Sequence, residues 1–153
     1  MNKTALLALA ASLAATPLAL AQSPFDSMKG KVKPGLYNYK MEMDMGQVPG
    51  APPGMGKQTM NMQHCVTPQD LEKGELTAKK DMPKDCKVSD YKMSGNTASY
   101  RVACTGEFKM AADNVITFVP DGYRIQMKMK MDQGGQAMNM TQNIEAKYAG
   151  ACK

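Results

Sequence analysis

The chemistry on offer in this chain is mostly thioether sulfur. Sixteen of 153 residues are Met. Ten of them stand in Met-x-Met spacing: Met41, Met43 and Met45; Met60 and Met62; Met127, Met129 and Met131; Met138 and Met140. In an extended strand, residues i and i+2 share a face roughly 6.5–7 Å apart. Directly opposite residues on paired strands are closer, about 4.5–5.5 Å. Long flexible Met side chains in that arrangement have three uses. They pack an apolar core or line an apolar ligand site, because Met adapts to irregular gaps. They offer several soft sulfurs to Cu(I) or Ag(I), with His64 able to add an imidazole. They also act as a sacrificial pool against oxidants. Polar residues alternate strictly with the methionines, which is what a Met-built apolar face requires, so packing or apolar lining is the leading reading.

The remaining side chains give no catalytic constellation. His64 is the sole His. It stands between Gln63 and Cys65 without the Gly-x-Ser-x-Gly elbow of a serine hydrolase. Glu42 and Asp44 alternate with Met, as solvated strand residues do, and Asp70, Glu72 and Glu75 mark a helix start and its connector. No phosphate-binding glycine loop occurs. Lys40, Lys128 and Lys130 make a mildly basic outer face. At a net charge of +5 and with few aromatics on that face, nucleic acid is not an expected partner. The expectation is a non-enzyme without a cofactor, whose partner is an apolar small molecule, a lipid or a protein segment.

Four cysteines remain: Cys65, Cys86, Cys104 and Cys152. None forms a Cys-x-x-Cys pair, so a metal site is disfavoured. Their address is written at the amino terminus. Met1-Asn2-Lys3 is a basic start, Leu6–Leu20 an Ala/Leu run, and Ala19-Leu20-Ala21 a small-x-small cleavage site, the pattern of a secretory signal peptide. Residues 1–21 are read as that signal, 22–33 as a flexible leader, and 34–153 as one domain. The apolar run is too short for a membrane span. A periplasmic location follows, with secretion beyond it as the alternative. An even number of cysteines in an oxidising compartment implies two disulfides. Cys65–Cys86 with Cys104–Cys152 is the favoured pairing, because Cys65 and Cys86 flank one insertion. Cys86–Cys104 across a hairpin is the rival.

The elements that must hold these groups are strands. From Gln22 to Lys153, Leu, Ile, Val and Phe make only 16 of 132 residues, against 15 Met and 6 Tyr. Methionine therefore replaces the usual aliphatics. Tyr37, Tyr39, Met41, Met43 and Met45 alternate with Asn38, Lys40, Glu42 and Asp44, a period-two strand. Gly46–Gly56 is a mobile Pro/Gly loop, and Gln58–His64 a second strand with Met60, Met62 and His64 on one face. Thr67-Pro68 starts a short helix, Thr as N-cap and Pro at the first helical position, ending at Gly74. A charged connector runs to Asp85. Two hairpins follow, Lys87–Met93 with Ala98–Cys104, and Met110–Val119 with Tyr123–Asp132. The Asp121-Gly122 turn would set Phe118 opposite Ile125 and Ile116 opposite Met127. A Gly134-Gly135 turn leads into Gln136–Tyr148, with Met131 opposite Met138 and Met129 opposite Met140. The fold class is mainly β: an antiparallel meander of about seven strands, a strongly bent sheet or partly open barrel, with one short helix. Its Met/Tyr face must curl or be covered.

The segments KPGLYNYKMEMDM, MNMQHCVTPQD, DCKVSDYKMSGNTASYRVAC and ITFVPDGY, followed by a Met-rich hairpin and AGACK, resemble the exported bacterial family called domain of unknown function 3617. The resemblance runs from about Lys33 to Lys153 and implies an exported β-rich domain with no catalytic residues to transfer. The functional expectation is a non-catalytic exported binding or interaction protein. Its tentative site is the face carrying Met41, Met43, Met45, Met60, Met62, His64, Met127, Met129, Met131, Met138 and Met140. Soft-metal binding or oxidant buffering by the same methionines is the alternative.

Overall fold

A computed structural model describes residues 30–46, 56–73, 82–106, 109–133 and 136–152, with the side chains of 72, 73, 133 and 136 left aside. Seven antiparallel strands form one open sheet: β1 Gly35–Asp44, β2 Lys57–Val66, β3 Cys86–Ser94, β4 Thr97–Thr105, β5 Lys109–Val119, β6 Gly122–Gln133 and β7 Gln136–Gly150. One helix, α1, spans Pro68–Lys73. The expected signal segment, residues 1–21, the loop interior 47–55 and the connector from Gly74 to residue 81 lie outside the described residues. The last residues of the expected leader belong to the domain. Val32 is 5% exposed within the core, and the Lys33 carbonyl accepts a hydrogen bond from the Tyr37 hydroxyl at 2.9 Å.

The sheet order is β2-β1-β7-β6-β5-β4-β3. From β3 to β7 the chain is a plain meander. The amino-terminal hairpin β1–β2 then adds to the far side of β7, so the first and last strands are neighbours. This order explains the disulfides, which differ from the favoured pairing. They are Cys65–Cys152 and Cys86–Cys104. Leu36 stands opposite Cys65 on β2 and opposite Gly150 on β7. Cys65 and the chain just past β7 therefore meet across β1, and the bond closes 87 residues of sequence. Cys86 and Cys104 are register partners in the β3–β4 hairpin.

Turn chemistry fixes the registers. Gly95-Asn96 joins β3 to β4, with Gly95 at φ 57°, where a side chain is disfavoured. The β5–β6 turn is Pro120-Asp121, one residue earlier than the Asp-Gly signal suggests. Phe118 accordingly faces Tyr123 and Ile116 faces Ile125. The shift is two in register, so every side chain keeps its expected face. Gly122 is instead the first residue of β6. A Cβ there would overlap the Ala146 carbonyl oxygen, so the close approach of β7 requires glycine. Met129 opposite Met140 and Met131 opposite Met138 are as expected. Helix α1 opens with a reciprocal cap: the Asp70 N–H donates to Thr67 Oγ1 at 3.2 Å, and the Thr67 N–H donates to Asp70 Oδ2 at 2.8 Å.

The core lies on one face of the sheet. Val66, Tyr37, Ala146, Tyr123, Ile125, Ile116, Phe118, Ala98 and Tyr100 are buried there, with Leu71 of α1 packed against them. The other face is polar. It carries the exposed pairs Lys40–Glu42 at 2.7 Å and Arg101–Asp113 at 2.9 Å.

Candidate functional site

The inner face has an aromatic end and a methionine end. At the aromatic end, one cross-strand row runs Met62, Tyr39, Ala146, Tyr123, Phe118 through β2, β1, β7, β6 and β5. Ala146 is too small to separate its neighbours, and the Tyr39 and Tyr123 hydroxyls meet above it at 2.6 Å. Tyr37 packs against Tyr123 at 5.8 Å between ring centroids and edge-on to Tyr148 at 5.5 Å. His64 sits at the rim, its ring edge-on to Tyr39 at 6.4 Å. Burial raises the Tyr39 hydroxyl above its ordinary value and pushes the Tyr123 hydroxyl well above it, where the neighbouring Tyr39 adds to the rise. Both remain neutral and able to donate across all physiological pH.

The methionine end is built by β5, β6 and β7. Met127 stands between Asn114 and Gln142, Met129 between Ala112 and Met140, and Met131 between Met110 and Met138. All these methionines are half-buried. Period two puts Met127, Met129 and Met131 on the same side as Tyr123 and Ile125. A hollow of about 420 Å³ at this end of the sheet is lined by Cys104, Met110 and Met131 and, from the polar face, by Thr105, Lys109, Ala111, Lys130, Asp132 and Ala137. A larger one, about 530 Å³, lies across β2, β1 and β7 and is lined largely by Asn38, Lys40, Asn61, Gln63, Glu145 and Lys147. Tyr39 and Met62 complete its lining.

Asn114 marks the boundary between the two ends. It is 2% exposed, in the row with Met127 and Tyr100. Its amide N–H donates to the Ala112 carbonyl at 3.3 Å. Its carbonyl oxygen is buried with no donor, an arrangement that is unfavourable in an apolar setting.

The structure thus divides the expected site. Met129, Met131, Met138 and Met140 form one group on β6 and β7, and Met110, which sequence reasoning did not single out, joins them. Met41 lies between Met60 and Ile144, and Met43 between Gln58 and Gln142. Met45 follows β1, its N–H bonded to the Gly56 carbonyl at 2.8 Å. Met60, Met62 and His64 lie on β2, an open edge, with Met60 and Met62 51% and 48% exposed. Two strands separate them from β6, a distance of about 14 Å. His64 and the β6–β7 sulfurs therefore do not share a site. Asn114 was also missed, although it continues the inward alternation of Phe118 and Ile116. Among the described residues no three His, Cys, Asp or Glu side chains gather where they could hold a metal. No helix among them is long and apolar enough to cross a membrane.

A one-sided antiparallel sheet with two disulfides and an apolar Met/Tyr face defines a β-rich domain of the kind stabilised in oxidising, extracytoplasmic surroundings. The family model "Protein of unknown function (DUF3617)" matches residues 32–152, and the chain belongs to that family. Comparison with curated proteins and with solved structures gives no match.

Proposed function

We propose that this protein is an exported, non-catalytic binding protein of the periplasm, released from the signal peptide 1–21, and that its methionine end takes an apolar small molecule or lipid chain. The observation that carries this reading is the group Met110, Met129, Met131, Met138 and Met140, which share one face of β5, β6 and β7 and stay only half-buried there. A finished core seals its apolar groups and satisfies its polar ones. This half of the face does neither. A flexible thioether surface suits ligands of varied shape. The neutral tyrosines at the other end support a rigid platform in place of an acid or base.

The test is titration of the oxidised protein with a fluorescent long-chain fatty alcohol. Saturable binding, lost in Met129→Gln and displaced by unlabelled alcohol, is expected. Binding no stronger than to the reduced, unfolded chain refutes the reading.

One observation favours the soft-metal alternative. Met129 faces Met140 and Met131 faces Met138 directly, so sulfurs of adjacent strands are within reach of one ion. That site would be all-sulfur and would not use His64. Cu(I) competition with Met131→Leu and Met138→Leu separates the readings. Leu keeps volume and apolarity but removes sulfur, so it weakens Cu(I) and leaves the alcohol probe unaffected.

A further inference from the structure

Among the described residues no strand pairs with the outer side of β2 or of β3, and these two edges are built differently. On β3 the pairing with β4 breaks between Ser89 and Lys92. Asp90 there takes a φ of 55°, and Lys87, Asp90 and Lys92 are exposed. A bulge and alternating charges are the devices by which an edge strand avoids pairing with another chain. On β2 these devices are missing. It is regularly paired with β1 over ten residues without a shift. Lys57–His64 are exposed throughout, and Gln58–Gln63 (QTMNMQ) contain no charged residue and no Pro. The two most exposed large apolar side chains among the described residues, Met60 and Met62, are both here.

We propose that β2 pairs antiparallel with β2 of a second copy of this chain, about a two-fold axis through Asn61. The sequence selects the occupant. About Asn61 the strand is self-complementary: Met60 would face the second copy's Met62, Thr59 its Gln63 and Gln58 its His64. An isologous interface needs this self-match. On the inner face four methionines join the Met41 and Tyr39 rows of both copies. On the outer face amides and a hydroxyl meet amides. The one fixed charge, Lys57, falls opposite Cys65 at the far end of the interface, so the two lysines stand about 27 Å apart and do not repel. The product is a continuous sheet of twice seven strands, edged on both sides by the guarded β3.

Sedimentation equilibrium of the full chain, oxidised, at micromolar concentration tests this. A dimer is expected. Asn61 points to the polar face, so Asn61→Lys leaves the protomer folded, which far-ultraviolet circular dichroism checks. It places two lysines directly opposite at the axis and raises the dimer dissociation constant at least about tenfold. Asn61→Asp does the same. An equimolar mixture of the two variants recovers a heterodimer, because only residue 61 faces itself. A wild-type monomer, or a dimer indifferent to both substitutions, overturns the proposal. Failure of the alcohol-binding test leaves it standing, since none of its groups lie at the methionine end.

Discussion

The hydroxyl oxygens of Tyr39 and Tyr123 lie 2.6 Å apart although their strands are not neighbours. β7 runs between them, and Ala146, 1% exposed, is the residue beneath the bond. Tyr39→Phe or Tyr123→Phe should each destabilise the fold by about 1 kcal/mol. The double variant should lose less than the sum, because both single changes break one bond. Ala146→Val would wedge the rings apart and destabilise by about 1–3 kcal/mol. Urea denaturation of the wild type and these four variants measures all of this.

Alkaline pH should unfold the protein earlier than its charge suggests. Burial, the largest cause for each, raises Tyr37, Tyr39, Tyr100 and Tyr123 above their ordinary value of 10.0. Above that value the unfolded chain loses these protons while the folded chain keeps them. The folded state then binds more protons, so stability falls as pH rises. Stability should be insensitive to these groups below about pH 9 and drop progressively above pH 10. Ultraviolet absorbance of tyrosinate should rise together with loss of β-sheet dichroism. Tyrosinate from more than two of the six tyrosines in a still folded protein would contradict the burial argument.

Peptide mapping of the oxidised protein should recover Cys65 with Cys152 and Cys86 with Cys104. Loop-closure entropy favours the first bond, about 4.5 kcal/mol for its 87-residue separation against about 3 kcal/mol for 18. The pair Cys65→Ser and Cys152→Ser should therefore lower the denaturation midpoint more than Cys86→Ser with Cys104→Ser.

Adjacent residues of β6 should respond oppositely. Met129→Lys places a charge on the inner face without a partner and should cost at least about 3 kcal/mol or prevent folding. Lys128→Glu, on the exposed face, should change the midpoint by less than about 0.5 kcal/mol.

Asn114→Leu removes a buried acceptor that has no donor. It should stabilise the protein by about 1 kcal/mol, read as a higher urea midpoint.

Period two made β1, β6 and β7 legible, because alternation of Met or Tyr with Lys, Asn and Asp is a local signal that the sheet preserves. Met129 facing Met140 was legible for the same reason, the alternation on both strands together with the short spacing between them. The Asp121-Gly122 reading failed because Gly122 serves a contact outside the hairpin, the approach of the Ala146 carbonyl. The Tyr39–Tyr123 bond, the Cys65–Cys152 bridge and the separation of His64 from the β6 sulfurs all depend on β1 lying beside β7. Residues 36 and 150 have no local sequence that announces their pairing, so these features were not readable.

The adjacency of first and last strands also sets a schedule. A chain made from its amino terminus has β1 and β2 ready early, but β1 gains its second neighbour only when β7 arrives, 114 residues later between Leu36 and Gly150. At ordinary synthesis rates the wait is about 6–23 s. Throughout it the hairpin holds two bare sides, and Cys65 lacks the partner it will keep, while Cys86 can already meet Cys104. A quality-control oxidoreductase would therefore find its last substrate at Cys152, and a rearranged chain beginning at β3, its old ends joined, would fold without the delay.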